Sequence, residues 1–353
     1  MPQRSTTPEG DALLEVRDVT TTFLLPSGPL QVVTGAEFDV HAGEAVGIVG
    51  ESGSGKSVLA RTVYGLLSGN DRVATSGSVR FEGRELMGLP RDELRRLWGD
   101  EIAMVFQDPM TSLNPVVRIG RQVVEHVQRR TRMTRAAARE LGVSLLSRLG
   151  VPDPDRRMDE YPHQLSGGLR QRVAIAAALA GSPRLVIADE PTTALDVTIQ
   201  AQILRLLDEA RRRDGVALLL ITHDLGVVAD HTDTVLVMYA GRIVERAPTR
   251  ELFANPRMPY SAAIMEAAPR LEDPPHSVLA AIPGQPPALD QIGSGCPFAP
   301  RCPRAQDRCR TERPSLESIE PDRWFACWFP LADGERLPVR GLELEEVGDG
   351  GDR

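Results

Sequence analysis

The segment Gly50-Glu51-Ser52-Gly53-Ser54-Gly55-Lys56-Ser57 constrains this chain more than any other feature, because it fits G-x-x-x-x-G-K-[ST] at every fixed position. It follows Ala45–Val49, an apolar run of strand length, and opens a helical stretch from Lys56 to about Leu67. Strand, glycine turn and helix in that order begin a nucleotide-binding α/β unit. Glycines let backbone N–H groups turn inward with no Cβ in the way. Those donors and the positive end of the helix suit phosphates, Lys56 offers a point charge to the β and γ phosphates, and Ser57 offers a hydroxyl to Mg²⁺. A glycine-rich turn that binds nothing is the plain alternative, and the placement between strand and helix argues against it.

Further apolar runs, Leu185–Ala188 and Val216–Ile221, have strand length and no alternation, as in a parallel sheet covered on both faces. The first ends in Asp189-Glu190. An acid at a strand end beside a phosphate loop can hold Mg²⁺, which is the role expected of Asp189, and Glu190 can polarise an attacking water. An Asp-Glu pair alone would be weak, since surface acids are common. Partial alternation from Leu13 to Asp39 suits antiparallel strands, and Val235–Met238 with Arg242–Glu245 reads as two strands around a turn at Ala240-Gly241. Residues 115–165 are rich in Arg, Leu and Ala with helical spacing and read as a helical insert.

The formal charge of −8 disfavours a protein that grips nucleic acid through phosphates. The longest apolar runs fall short of the roughly 20 residues of a spanning helix, and the polar start at Met1-Pro2-Gln3 has no signal-peptide core. A cytosolic chain, held at any membrane by partners, is the expectation. Residues 1–11 read as a disordered tail, a proline-crowded linker begins after about Ala268, and the acidic, glycine-rich end reads as a flexible tail.

Leu165-Ser166-Gly167-Gly168-Leu169-Arg170-Gln171, just before a helical run, resembles the signature sequence of ABC ATPases. The order also matches that family: phosphate loop, Gln107, signature, acidic pair, Ala194-Leu195-Asp196, His223. The resemblance covers about residues 13–265. It implies an ABC-type P-loop NTPase with a RecA-like α/β core, an antiparallel β subdomain and a helical subdomain at about 112–168, the cassette spanning 12–265. Ser166 is well placed to cap its helix, leaving the N–H groups at Gly167 and Gly168 exposed as a second anion-binding helix start. By resemblance two cassettes pair head to tail, and Ser166, Gly167, Gly168 and Gln171 serve the ATP held by the partner. The resemblance further implies Gln107 as a Mg²⁺ or water contact, His223 as the γ-phosphate switch, Asp196 at the seam between cassettes, and Phe23 as the adenine-stacking aromatic.

Phe106-Gln107-Asp108-Pro109-Met110-Thr111-Ser112-Leu113-Asn114-Pro115 resembles oligopeptide and dipeptide permease ATPases, as does Asn255–Ser261, where Met258 stands in place of the family's usual His. This implies a heterodimer with a homologous cassette, two permease subunits and an extracytoplasmic peptide-binding protein, at the cytoplasmic face of the membrane. Nickel or another small solute is the alternative cargo. A soluble ABC ATPase of DNA repair would carry coiled-coil arms or inserted modules, and a non-hydrolysing module a damaged acidic pair.

All four cysteines, Cys296, Cys302, Cys309 and Cys327, fall within 266–335 with the spacing C-x5-C-x6-C-x17-C. A reducing cytosol favours a metal or cluster over disulfides, and Arg301, Arg304, Arg308 and Arg310 around them favour thiolates. Zinc sites more often use C-x2–4-C pairs, which this spacing lacks. The block resembles the small C-terminal extension of peptide-permease ATPases, some of which carry a [4Fe–4S] cluster, and by that resemblance a cluster is expected, with zinc as the alternative.

Overall fold

The computed structural model describes residues 12–108, 112–192, 196–268, 282–320, 322–335 and 337. The expected disordered tail at 1–11, the linker prolines of 269–281, Ala194-Leu195 and nearly all of the acidic tail lie outside the described residues.

The strands are β1 Leu14–Leu25, β2 Gly28–Val40, β3 Ala45–Val49, β4 Val73–Phe81, β5 Arg84–Glu85, β6 Ile102–Val105, β7 Leu185–Asp189, β8 Ala217–Ile221, β9 Thr234–Tyr239, β10 Arg242–Pro248, β11 Glu317–Glu320 and β12 Arg323–Phe325. The helices used below are α1 Lys56–Val63, α2 Ile119–Thr131, α3 Arg135–Arg148, α4 Gly167–Leu179, α5 Val197–Asp214, α6 Leu225–His231 and α7 Pro259–Glu266.

A four-stranded antiparallel sheet runs β2-β1-β4-β5. Leu14 lies opposite Val40 on one side and Phe81 on the other. Leu14 and Val16 point to the core in period-two alternation, and a register shift after Val16 changes the phase so that Val19 and Thr21 are the buried positions beyond it.

The larger sheet has eight strands in the order β11-β12-β10-β9-β3-β8-β7-β6. From β9 to β6 every pairing is parallel. All residues of β3, β6, β7 and β8 are buried, which explains their unbroken apolar runs. Successive residues feed opposite faces. Val186, Ala188, Leu218 and Leu220 pack with Ile119 and Leu146 of the helical insert and with α4 and α5. Leu185, Ile187, Leu219 and Ile221 pack with α1 and the antiparallel sheet.

The expected strand pair around Ala240-Gly241 is β9 and β10. Sequence reading treats the cysteine block as a separate small extension. The structure instead continues the main sheet into it: β12 pairs antiparallel with β10, Glu245 opposite Phe325 and Arg246 opposite Trp324. Capping an edge strand this way satisfies backbone groups that would otherwise face outward. Phe298 joins a third core with Tyr239, Val244 and Tyr260. Among the described residues no helix is long and apolar enough to cross a membrane.

Candidate functional site

In open α/β sheets, ligands bind beyond the carboxyl ends of the strands. Here β3, β8, β7 and β6 are neighbours, and their carboxyl ends carry the phosphate loop, His223, Asp189-Glu190 and Gln107 respectively. Four motifs scattered over about half the chain therefore form one row.

The loop is shaped by glycine where glycine is needed. Gly50 has φ 149°, and a Cβ there would lie 2.1 Å from the Met238 carbonyl oxygen. Gly55 caps α1 at φ 101°, with the Val32 carbonyl 2.7 Å from any Cβ. Lys56 is buried, and its Nζ donates to the carbonyls of Gly50 at 2.7 Å and Glu51 at 3.0 Å. Burial lowers its pKa, while Glu190, Asp189 and Glu51 act to raise it. Ser52, Gly53 and Ser54 complete the turn, with Ser54 buried.

Ser57 Oγ donates to Asp189 Oδ1 at 2.7 Å. Asp189 is fully buried and its Oδ2 has no hydrogen-bond partner. Burial pushes its pKa up, opposed by the Ser57 hydrogen bond. A buried carboxylate oxygen without a donor, beside a hydroxyl at the phosphate loop, fits a Mg²⁺ ion, which prefers such hard oxygens.

Glu190 sits at φ 48°, in the left-handed region, one residue past the strand. Its backbone N–H bonds to the Ile221 carbonyl. The turn aims the side chain outward between two motifs: Gln107 Nε2 donates to Oε2 at 2.8 Å, and His223 Nδ1 lies 3.3 Å from Oε1. Backbone strain at a fixed carboxylate is a common mark of functional sites. His223 remains mostly exposed, its side chain 61% accessible.

Ser166 caps α4, its Oγ accepting from Leu169 N–H at 3.4 Å. Ser166 and Gly167 are exposed, and nothing lies within 4 Å of a Cβ built on Gly167. Gln171 differs from the exposed Ser166 and Gly167. It is buried and donates to the Pro191 carbonyl at 2.8 Å, tying the signature helix to the turn after Glu190. Asp196 is exposed and caps α5 through Ile199 N–H. Phe23 is half-buried in β1, between Leu30 and Val73 on the flanking strands.

The four cysteines line one small cavity, together with Met258 and Phe298. Met258 is buried there, so an apolar side chain at this position is matched to its surroundings. Among the described residues no group of three or more His, Cys, Asp or Glu is arranged to hold a metal ion. For Cys296, Cys302 and Cys327, burial opposes the expected thiolates. Burial pushes the thiols of Cys296 and Cys302 up and that of Cys327 up to about 12. Three of the four arginines pair with acids: Arg301 with Glu51, Arg304 with Glu335, and Arg308 with Glu312 while it also stacks over the Trp328 ring. The donor chemistry suits a soft metal or cluster, but the geometry of the described residues gives no support for one.

Sequence reasoning misses one set of site residues. The Arg301 guanidinium forks onto Glu51 of the phosphate loop at 2.6 and 2.9 Å, and Tyr260 OH accepts from Glu51 N–H at 2.9 Å. The only local signal is an acid inside a loop built for anions.

The ABC transporter family profile matches residues 33–193, and that of the oligopeptide/dipeptide transporter C-terminal region matches residues 244–309. The oligopeptide transport ATP-binding protein OppD of Escherichia coli is 49% identical over 325 residues, covering 92% of this chain and 95% of that protein. The dipeptide transport ATP-binding protein DppD of Escherichia coli is 45% identical, over 92% of this chain and 99% of that protein. A solved dimeric ATP-binding cassette in a post-hydrolysis state with ADP and Pi superposes with TM-score 0.61 at 28% identity, covering 67% of this chain and 99% of that one. This chain belongs to the ABC transporter ATP-binding proteins, in the group that carries the oligopeptide/dipeptide transporter C-terminal region.

Proposed function

We propose that this ATPase drives uptake of oligopeptides or dipeptides, bound at the cytoplasmic face of the membrane to two permease subunits that receive cargo from an extracytoplasmic binding protein. The observation that carries the reading is the Glu190 carboxylate, fixed between Gln107 and His223 and next to the Ser57–Asp189 pair. It is supported by the identity to OppD and DppD, which transport oligopeptides and dipeptides by name.

In the proposed cycle, Lys56 and the loop N–H groups bind the triphosphate, and Lys56 exchanges its carbonyl partners for phosphate oxygens. Ser57 and Asp189 would hold Mg²⁺, with Gln107 as a further contact to the ion or to water. Bound there, the ion would supply charge neutralisation at the phosphates. Glu190 orients the attacking water and accepts its proton, and His223 contacts the γ-phosphate. Ser166, Gly167 and Gly168 close on the ATP of a second, homologous cassette, with Asp196 at the seam. Gln171 acts from beneath, holding the signature helix to the acidic turn. Phe23 stacks on adenine.

For the cysteine block, a [4Fe–4S] cluster is proposed on the resemblance to peptide-permease extensions alone. A cation there would reverse the preference for neutral thiols. Anaerobically purified protein should be brown with visible iron–sulfur absorbance; colourless protein with one zinc per chain would replace the cluster with zinc.

The transport reading is tested in cells expressing the chain with its permeases. A labelled tripeptide should enter, and Lys56→Ala should abolish entry. Unchanged peptide uptake, with loss of nickel uptake instead, would move the reading to a metal cargo.

A further inference from the structure

The phosphate-loop motif leaves position 51 free, yet an acid stands there, in a loop that must receive a triphosphate. An uncompensated carboxylate at that point repels the ligand. The compensation comes from the far end of the chain. The Arg301 side chain is only 5% exposed, and both of its terminal nitrogens meet the Glu51 carboxylate. Such forked, charge-assisted pairs fix geometry as well as charge.

Arg301 is itself held. Its Nε donates to the Pro283 carbonyl at 2.9 Å, and one terminal nitrogen reaches Tyr239 OH at 3.3 Å. Tyr239, Tyr260 and Phe298 pack ring against ring beside it, with centroids 4.4 to 5.5 Å apart. Tyr260 from the same group takes the Glu51 N–H. Glu51 is thus gripped at side chain and backbone, and its carbonyl, with that of Gly50, positions Lys56 Nζ.

We propose that Arg301 is a positioning residue of the ATP site: it neutralises and orients Glu51, so that the extension sets the phosphate loop for the triphosphate. The proposal rests on the Gly50–Ser57 loop being the ATP site. It makes the extension part of the nucleotide-binding machinery, and it gives position 51 a reason to be acidic, since a fixed acid is what anchors the loop to Arg301.

The test is MgATP titration and steady-state kinetics on the full chain. Arg301→Met should raise the ATP Kd and KM by roughly tenfold, with kcat changed far less. Adding Glu51→Gln to Arg301→Met should restore Kd to within about threefold of wild type, because the repelling charge is gone. Arg301→Lys keeps the charge without the fork and should fall between. Wild-type ATP binding by Arg301→Met would overturn the proposal. So would a double variant as weak as Arg301→Met, since that pattern marks a purely structural loss. Lys56→Ala serves as the separate control: if it binds ATP normally, the ATP-site reading itself fails, whatever Arg301 does.

Discussion

At the residue scale, the site depends on backbone positions that accept few side chains. Gly50 is the sharpest case, because both its φ and the Met238 carbonyl oppose a Cβ. Gly50→Ala should cost about 2 kcal/mol or more in stability and abolish ATP binding, measured by denaturant unfolding and nucleotide titration. Lys56, Ser57, Asp189 and Glu190 are legible in the sequence because each sits in a short local motif at a strand end. Gln107 and His223 are single residues, and only the order of motifs along the chain singles them out. The Gln171 contact with Pro191 and the raised thiols of Cys296, Cys302 and Cys327 are not legible for one shared reason: they depend on burial, which a motif does not report. Arg301 and Glu51 lie 250 positions apart, and no local pattern links them.

At the element scale, one buried acid ties β10 to the turn that precedes α7. Glu245 in β10 is fully buried and accepts from Arg257 N–H at 2.6 Å and Met258 N–H at 2.9 Å. Glu245→Ala leaves two donors without acceptors and should cost about 3 kcal/mol in denaturant unfolding. Burial holds the folded-state pKa of Glu245 above its usual value of 4.5. The unfolded chain therefore releases this proton first as pH rises. Stability contributed here is present below 4.5 and is lost as pH climbs toward the folded-state value. Wild type should lose stability relative to Glu245→Gln over that interval; a constant difference across it would contradict the assignment. The helix cap at Ser166 is a smaller effect. Ser166→Ala should cost about 0.5–1 kcal/mol, so any larger loss of ATPase activity reports a role beyond the cap. The parallel strands and the β9–β10 pair are readable from apolar runs and a turn. The joining of β12 to β10 is not, because pairing at a sheet edge is a contact between distant segments with no periodic signature in either.

At the scale of the whole molecule, one row of strand ends gathers the loop, the acidic pair, Gln107 and His223, while Ser166 and Gly167 at the start of the signature helix are exposed. In the proposed cycle the signature helix start serves the ATP of a second cassette, so that a pair shares two ATP molecules. The dimeric post-hydrolysis cassette of the same fold is consistent with that use. In the presence of MgATP, a variant that binds but does not hydrolyse should accumulate as the associated pair with its partner cassette, visible as a shift in sedimentation that Ser166→Arg removes. All of this turns on Glu190 being the group that activates water. The decisive measurement is ATP turnover and bound nucleotide in Glu190→Gln: turnover should fall by roughly a hundredfold or more while MgATP stays bound, whereas undiminished turnover would contradict the account.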